Sequence, residues 1–387
     1  MVQWVVKDKE KDIFWPSEEM KKKANMSDPN IYKEADKDCV LFWEGKAWEL
    51  EWFEKWSEAY EENPPYFKWF VNGKTNICFN ALDRHFESRG DKPALIWVPE
   101  PPEEKEVILT YKELHEKVCK FSNVLKKMGV KKGDRVGIYL PMIPEVQIAL
   151  LSCARIGAIH IVVFSAFSAK SLHERMVDSG AKVLITADGY YRRGKKIDLK
   201  SKADEGLEGT EVEKVVVAKR LGSNVNMKDG RDLYFDELVE KAEPVCEPEK
   251  MESNETLFIL YTSGTTGKPK GIIHDTGGYM VQAYMTSKWI FDLQDDDVFW
   301  CTADIGWVTG HTYACYGPLI NGATMLTYEG SPDFPDLGVW WKIIEKHKVS
   351  VFYTAPTAVR MFKRGGDEWI EKHDLSSLRL LGSVGEL

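Results

Sequence analysis

Cysteine is the first scarcity in these 387 residues: there are seven, at positions 39, 78, 119, 153, 246, 301 and 315. No two stand as C-x-x-C and the count is odd, which speaks against a disulfide framework or a zinc site, so no metal ligands are assigned. Positive charge is in deficit too, with 52 Lys and Arg against 61 Asp and Glu and a formal net charge of −9. An acidic chain is not drawn as a whole to nucleic acid or to anionic membranes, and neither is an expected partner. A long unbroken apolar run is missing as well. The best approximation, residues 146–167, carries Gln147, Arg155 and His160, and Gly157 divides it into a helical half and a β-branched half. That pattern reads as a buried helix followed by a buried strand rather than a membrane span. The opening MVQWVVKDKEKD turns charged before an apolar stretch forms, so no secretory signal is expected and the cytoplasm is the expected location. Internal repeats and low-complexity tracts are also lacking.

What is present describes an ordered protein. Hydrophobic residues make up 43% and there are 29 glycines, the usual globular proportion, in a chain long enough for two or three domains. Residues 1–80 form a first segment rich in tryptophan (Trp4, Trp15, Trp43, Trp48, Trp52, Trp56 and Trp69). Trp48, Trp52 and Trp56 recur every four residues, which predicts one helix face clamping the segment onto a larger body.

Residues 81–387 have a different rhythm. Apolar runs at 94–98, 136–140, 159–164, 183–186, 215–218, 257–261, 298–301, 324–327, 351–353 and 378–381 read as strands. Thr110 with Glu113 three residues on is a capping box. Tyr111, Leu114, Val118, Phe121, Leu125 and Met128 then step by three and four to a stop at Gly129. Pro144 opens another helix, and 168–179 is a third, whereas 219–232 reads as a polar surface loop. Strands alternating with helices predict an α/β fold with largely parallel sheets flanked by helices.

The sharpest chemical signal follows the run at 257–261. Thr262, Ser263, Gly264, Thr265, Thr266, Gly267 and Lys268 precede Pro269, Lys270 and Gly271. Glycines let backbone N–H groups wrap an anion, hydroxyls add neutral donors and the lysines add charge, a composition suited to polyphosphate. Gly264 and Gly267 are too close for a Walker A loop, and Pro269 stands where its Ser or Thr would be, which disfavours a P-loop phosphotransferase. A flexible linker is the commoner fate of such composition. The apolar strand and the two lysines weigh against it here. A second cluster, Arg192, Arg193, Gly194, Lys195, Lys196, Ile197, Asp198, Leu199, Lys200, Ser201 and Lys202, sets six basic residues against one acidic residue. Such a run suits phosphate, although charge runs are usually only solvated faces.

Y-T-S-G-T-T-G-K-P-K-G at 261–271 is similar to the signature of the AMP-forming acyl-adenylate enzymes: acyl-CoA synthetases, luciferases and peptide-synthetase adenylation domains. Four further stretches resemble the acetyl- and propionyl-CoA synthetase branch: residues 67–85 (F-K-W-F-V-N-G-K-T-N-I-C-F-N-A-L-D-R-H), 303–311 (A-D-I-G-W-V-T-G-H), 353–358 (Y-T-A-P-T-A) and 381–386 (L-G-S-V-G-E). The resemblance covers nearly the whole chain. It implies the large N-terminal domain of the adenylate-forming fold at 81–387, preceded by a branch-specific segment at 1–80.

The resemblance also implies substrates and sites: ATP and coenzyme A, with Mg2+ as the ion, and a small carboxylate such as acetate. The loop 262–268 would cover the β- and γ-phosphates of ATP. Trp307, Val308 and Thr309, with Val384, would wall the carboxylate pocket; composition alone reads Trp307 and Val384 equally well as core. Gly385 and Glu386 would lie beside adenine. Arg192, Arg193, Gly194, Lys195, Thr309 and Asp333 would meet coenzyme A, Asp333 departing from the family's usual Asn.

After Glu386 the family continues with Pro, where this sequence has Leu387. The Thr-Glu segment for adenine and Mg2+, the ribose-binding Asp and the small C-terminal domain with its adenylation lysine all follow in the family. No catalytic residue is therefore assigned, and the 387 residues alone are expected to have little or no synthetase activity. A C-terminal complement on a separate chain is a possible partner. Acetate and propionate remain alternatives, as does a catalytically inactive fragment that binds ATP or coenzyme A.

Overall fold

In the computed structural model, the structure describes residues 5–8, 13–262 and 268–385. Ser263, Gly264, Thr265, Thr266, Gly267 and Glu386 among the expected site residues lie outside these, as does Trp4.

Two large sheets organise the chain. The first has seven strands in the spatial order Asp232–Tyr234, Lys214–Ala218, Val183–Ala187, Arg135–Tyr139, Ile159–Val162, Thr256–Thr262 and Lys270–Asp275. All its pairings are parallel except the last. The second has six, in the order Leu380–Ser383, Val351–Thr354, Val298–Cys301, Thr324–Tyr328, Pro93–Val98 and Val107–Thr110, again antiparallel only at the last pair. The expected fold class is observed.

The strands form where they do because both faces are covered. Val215, Val216 and Val217, or Val183, Leu184 and Ile185, are buried in succession rather than alternately, as central parallel strands require. The helix Tyr111–Lys127 begins at the Thr110 capping box, with both reciprocal hydrogen bonds made. It packs on the helix Pro144–Arg155. The first helix bears on the second sheet and the second helix on the first sheet, so one helical layer joins them. The 146–167 stretch is the helix and strand expected of it, and among the described residues no helix is long and apolar enough to cross a membrane.

Three expectations need correction. Trp48, Trp52 and Trp56 do not share a helix face: the helix Cys39–Ala47 ends before them, with Trp48 as its C-cap. Their rings meet because the irregular chain folds back, with Trp48–Trp56 and Trp52–Trp56 centroids 4.8 and 4.9 Å apart and Phe70 5.3 Å from Trp52. The last strand begins at Leu380, not 378, because Leu378 closes a turn onto the Leu375 carbonyl and Arg379 points inward to Asp292 and Asp297. The polar loop stops at 231, since Asp232 already pairs in the first sheet.

Lys200 belongs to the basic run but not to its surface. It is 1% exposed and bonds Asp204 and Asp232, each at 2.8 Å, and the Asn226 carbonyl at 2.9 Å. Removing one partner of a buried pair leaves uncompensated charge, so Lys200→Met is expected to lower the unfolding free energy by about 3 kcal/mol. The urea midpoint at an unchanged m value measures this, and an unmoved midpoint refutes the internal role.

Candidate active-site cleft

The parallel strands of both sheets end at one cleft of about 890 Å³. Pro141 and Met142 follow one strand of the first sheet, Phe164 to Ala166 another, and Tyr190 to Arg192 a third. Thr302 and Asp304, Glu329 and Gly330, and Ala355 follow three strands of the second. Open α/β sheets bind ligands at such carboxyl ends.

The two sheets are tied at the cleft by Arg220 and Glu329. Arg220 follows the strand Lys214–Ala218, and Glu329 follows Thr324–Tyr328. Nε and Nη2 of Arg220 donate to the two Glu329 oxygens at 2.8 and 2.7 Å, and Nη2 also reaches Glu104 at 2.7 Å. Burial pushes the Glu329 carboxyl up and Arg220 pulls it down. The Arg220 guanidinium also lies 5.2 Å from the Trp97 ring and 4.7 Å from the Tyr191 ring.

The first part of the basic run lies in a hairpin of Gly189–Arg192 and Lys195–Asp198, and its end, from Lys200, opens the helix Lys200–Gly206. The hairpin's two-residue turn, Arg193 and Gly194, has φ of 51° and 73°, the left-handed pair a tight hairpin needs. The Gly194 N–H donates to Glu100 Oε1 at 2.9 Å, and a Cβ there would sit 2.9 Å from the Phe334 ring. Arg193 makes a two-pronged ion pair with Asp333 at 3.0 and 2.8 Å. Two residues expected to face coenzyme A are therefore engaged with each other. Arg192 lines the cleft, and Lys195 is exposed on the neighbouring strand.

The segment at 303–311 turns beneath the cleft. Asp304 accepts from the Gly306 N–H at 2.7 Å, and the Trp307 N–H bonds the Asp304 carbonyl at 3.1 Å. A Cβ on Gly310 would lie 2.0 Å from the Asp304 carbonyl oxygen, so only glycine permits this close turn. Trp307 and Val308 are 51% and 46% exposed, so the core reading of Trp307 does not hold. Thr309 is half-buried. Val384 packs half-buried against the main core, and its N–H bonds the Thr354 carbonyl at 3.0 Å. Thr302 donates in turn to the Thr354 hydroxyl at 2.8 Å, linking Val384 to the strand that leads into Asp304. Gly385 lies beyond, at φ 99°.

His311 closes the base of the turn. Its Nδ1 lies 3.2 Å from the Trp307 carbonyl, and its ring stacks near His160, with centroids 5.6 Å apart, and near Phe258 at 4.6 Å. Burial lowers the His311 pKa to about 4 and the His160 pKa well below the usual value, so both are neutral near pH 7. Phe258 belongs to the strand Thr256–Thr262 that feeds the Gly/Ser/Thr loop.

Thr262 pairs with Lys270 across the antiparallel junction at the first sheet's edge, so the loop joins two strands. A P-loop joins a strand to a helix, which separates this site from that class on geometry as well as spacing. Lys268 is exposed.

Sequence reading missed Asp304, Glu329, Arg220 and Glu100. An acidic residue directly after an apolar strand, as Glu329 follows Tyr328, was the available signal. Among the described residues no group of three or more His, Cys, Asp and Glu side chains converges as a metal site.

The comparisons now bear on this geometry. Residues 82–387 match the model of the AMP-binding enzyme family. The chain belongs to that family. Residues 29–81 match the acetyl-coenzyme A synthetase N-terminus. The chain is 57% identical over 373 residues to an acetyl-coenzyme A synthetase of Rubrobacter xylanophilus, an alignment covering 96% of this chain and 58% of that relative. It is 52% identical over 373 residues to one of Methanothrix soehngenii, covering 95% and 56%. A third, of Bdellovibrio bacteriovorus, is 48% identical over 383 residues, covering 97% and 59%. The chain thus spans somewhat over half the length of these relatives.

Asp304 provides a test of the cleft floor. Burial raises its carboxyl pKa to about 6, above the unfolded value near 3.8, so ionisation opposes folding. The stability this protonated group contributes is full below about pH 4 and lost as pH rises through 6. Asp304→Asn escapes that loss. It is expected to match wild type at pH 4 and to exceed it at pH 8, by at most about 3 kcal/mol. Urea unfolding across pH 4–8 checks this, and a constant difference contradicts the buried-acid reading.

Proposed function

We propose that this chain is the substrate-binding portion of an AMP-forming acetate–CoA ligase. Residues 1–80 form the N-terminal segment and 81–387 the AMP-binding large domain. The observation that carries the reading is one of placement. The 262–270 connection and the 302–309 and 384–385 segments leave parallel strands at the same end of their sheets, and the basic hairpin enters the same cleft.

In the first half-reaction an acetate oxygen attacks the α-phosphorus of ATP. The bond from that phosphorus to the α,β-bridging oxygen breaks, giving acetyl-AMP and pyrophosphate. In the second, the coenzyme A thiol attacks the acetyl carbon, the acyl–phosphate bond breaks and AMP leaves. Thr262 to Lys268 hold the β- and γ-phosphates by N–H, hydroxyl and ammonium donors. Trp307, Val308, Thr309 and Val384 confine the acyl methyl, Gly385 and Glu386 border adenine, and Arg192, Lys195 and Thr309 receive coenzyme A. Mg2+ would supply charge neutralisation at the phosphates when bound, and no residue of this chain is assigned to it. Acetate is preferred to propionate because the relatives carry acetyl-coenzyme A synthetase as their name. A cytoplasmic location fits seven free cysteines, six of them buried.

Acetate-dependent ATP–pyrophosphate exchange tests the reading in two forms. A chain extended to the length of the relatives is expected to exchange, whereas the 387 residues alone are not. Exchange that does not require acetate in the extended form refutes the ligase assignment. Robust exchange by the 387 residues refutes their dependence on a complement.

A further inference from the structure

The basic run does not present its cations equally. Of the six basic residues between 192 and 202, Lys200 is buried on Asp204 and Asp232. Arg193 is held by Asp333 along one guanidinium edge, Nε and Nη2 donating to the two carboxylate oxygens in the geometry that a phosphate would otherwise take. The pair lies at the surface, with the Arg193 side chain 60% and Asp333 28% exposed. Solvent and solute anions therefore reach it. The hairpin tip does not depend on this pair for its position. The Gly194 N–H is fixed on Glu100, itself bonded by the Ser331 N–H at 3.2 Å, and the Phe334 ring closes against Gly194. Asp333 thus acts on charge at a turn whose shape is set by its neighbours.

We infer that Asp333 withholds Arg193 from phosphate and thereby sets the affinity of the hairpin for coenzyme A. The inference rests on the coenzyme A reading above. With Asp333 in place, an incoming phosphate meets Arg192 and Lys195 unhindered, but at Arg193 it either displaces a carboxylate or takes the other guanidinium edge and sits beside that negative charge. An uncharged isostere keeps one hydrogen bond to Arg193 and removes both obstacles. Side-chain pairs this exposed are weak, so the gain is a modest factor.

The test is a calorimetric titration of the whole chain with coenzyme A, adenosine 3′,5′-bisphosphate and adenosine. Asp333→Asn is expected to tighten both phosphorylated probes about three- to tenfold and to leave adenosine unchanged. In an Arg193→Gln background the same substitution is expected to gain less than half as much. A melting temperature unchanged in Asp333→Asn shows that the turn keeps its shape. Equal or weaker binding of coenzyme A by Asp333→Asn, with wild-type binding intact, overturns the inference. So does a gain that persists undiminished with Arg193→Gln, because the effect then does not pass through Arg193. Absence of coenzyme A binding by both wild type and Asp333→Asn overturns the underlying site assignment instead.

Discussion

The Arg220–Glu329 pair is the constraint on which the cleft depends. Each residue stands just past the end of a strand, one in each sheet, so their two-pronged contact fixes how the two sets of strand ends face one another. Withdrawing two charges from water is costly, and attraction alone barely offsets it. Here the remaining capacity is also used: Glu329 accepts from the Glu100 N–H, and Arg220 reaches Glu104. An apolar pair would fill the space. It would not orient the Glu100 carboxylate that receives the Gly194 N–H, nor give Tyr191 a flat cation beneath its ring. The hairpin's position follows from that arrangement. The loop carrying Arg220 is itself fixed by buried Asp188, whose oxygens accept from the N–H groups of Gly189, Arg220, Leu221 and Ser223.

A second constraint acts on the opposite wall. His311 supports the Trp307 turn and packs at a tilt against Phe258, in the strand that leads into the 262–270 connection. The segment after it, Thr312–Tyr316, is wound as a π-helix, a local widening that often accompanies functional sites. Because His160 and His311 are neutral near pH 7, their stack with Phe258 carries no repulsion there. The turn at 303–311 and the strand Thr256–Thr262 therefore share one packed base.

How much of this was readable in the sequence depended on burial and distance. Central strands such as 215–218 and 298–301 were legible because burial on both faces forces runs of apolar residues. The antiparallel additions were not. Val107–Thr110, Glu58–Asn63 with Tyr66–Val71, and Lys270–Asp275 are short, charged or at edges, where polar residues are tolerated. The fourfold tryptophan spacing misled because an irregular segment can also bring rings together. The Gly/Ser/Thr composition at 262–268 stood out locally, whereas the 303–311 segment stood out only through its resemblance to the family. The ion pairs around the cleft were not, since Arg193 and Asp333, or Arg220 and Glu329, are separated by more than a hundred residues and carry no local pattern.

The same comparison explains why a basic run is a poor measure of a phosphate site. Charge counted along the sequence treats Lys200, Arg193 and Arg192 alike, whereas their surroundings give them different work. Lys200 is an internal tie, Arg193 is balanced by a surface carboxylate, and Arg192 faces the cleft. A buried cation gains its partner at folding and has nothing left for a ligand. An exposed one remains hydrated, and each phosphate contact then returns only a modest free energy. Useful affinity at such a surface needs several cations in a fixed frame. The frame here is supplied by backbone bonds to Glu100 and by the Arg220–Glu329 tie, which leave Arg192 and Lys195 unspent on structure. Anchoring the turn through its main chain separates where the cations stand from what they bind. One carboxylate at its rim can then alter the charge offered to a ligand without moving the hairpin.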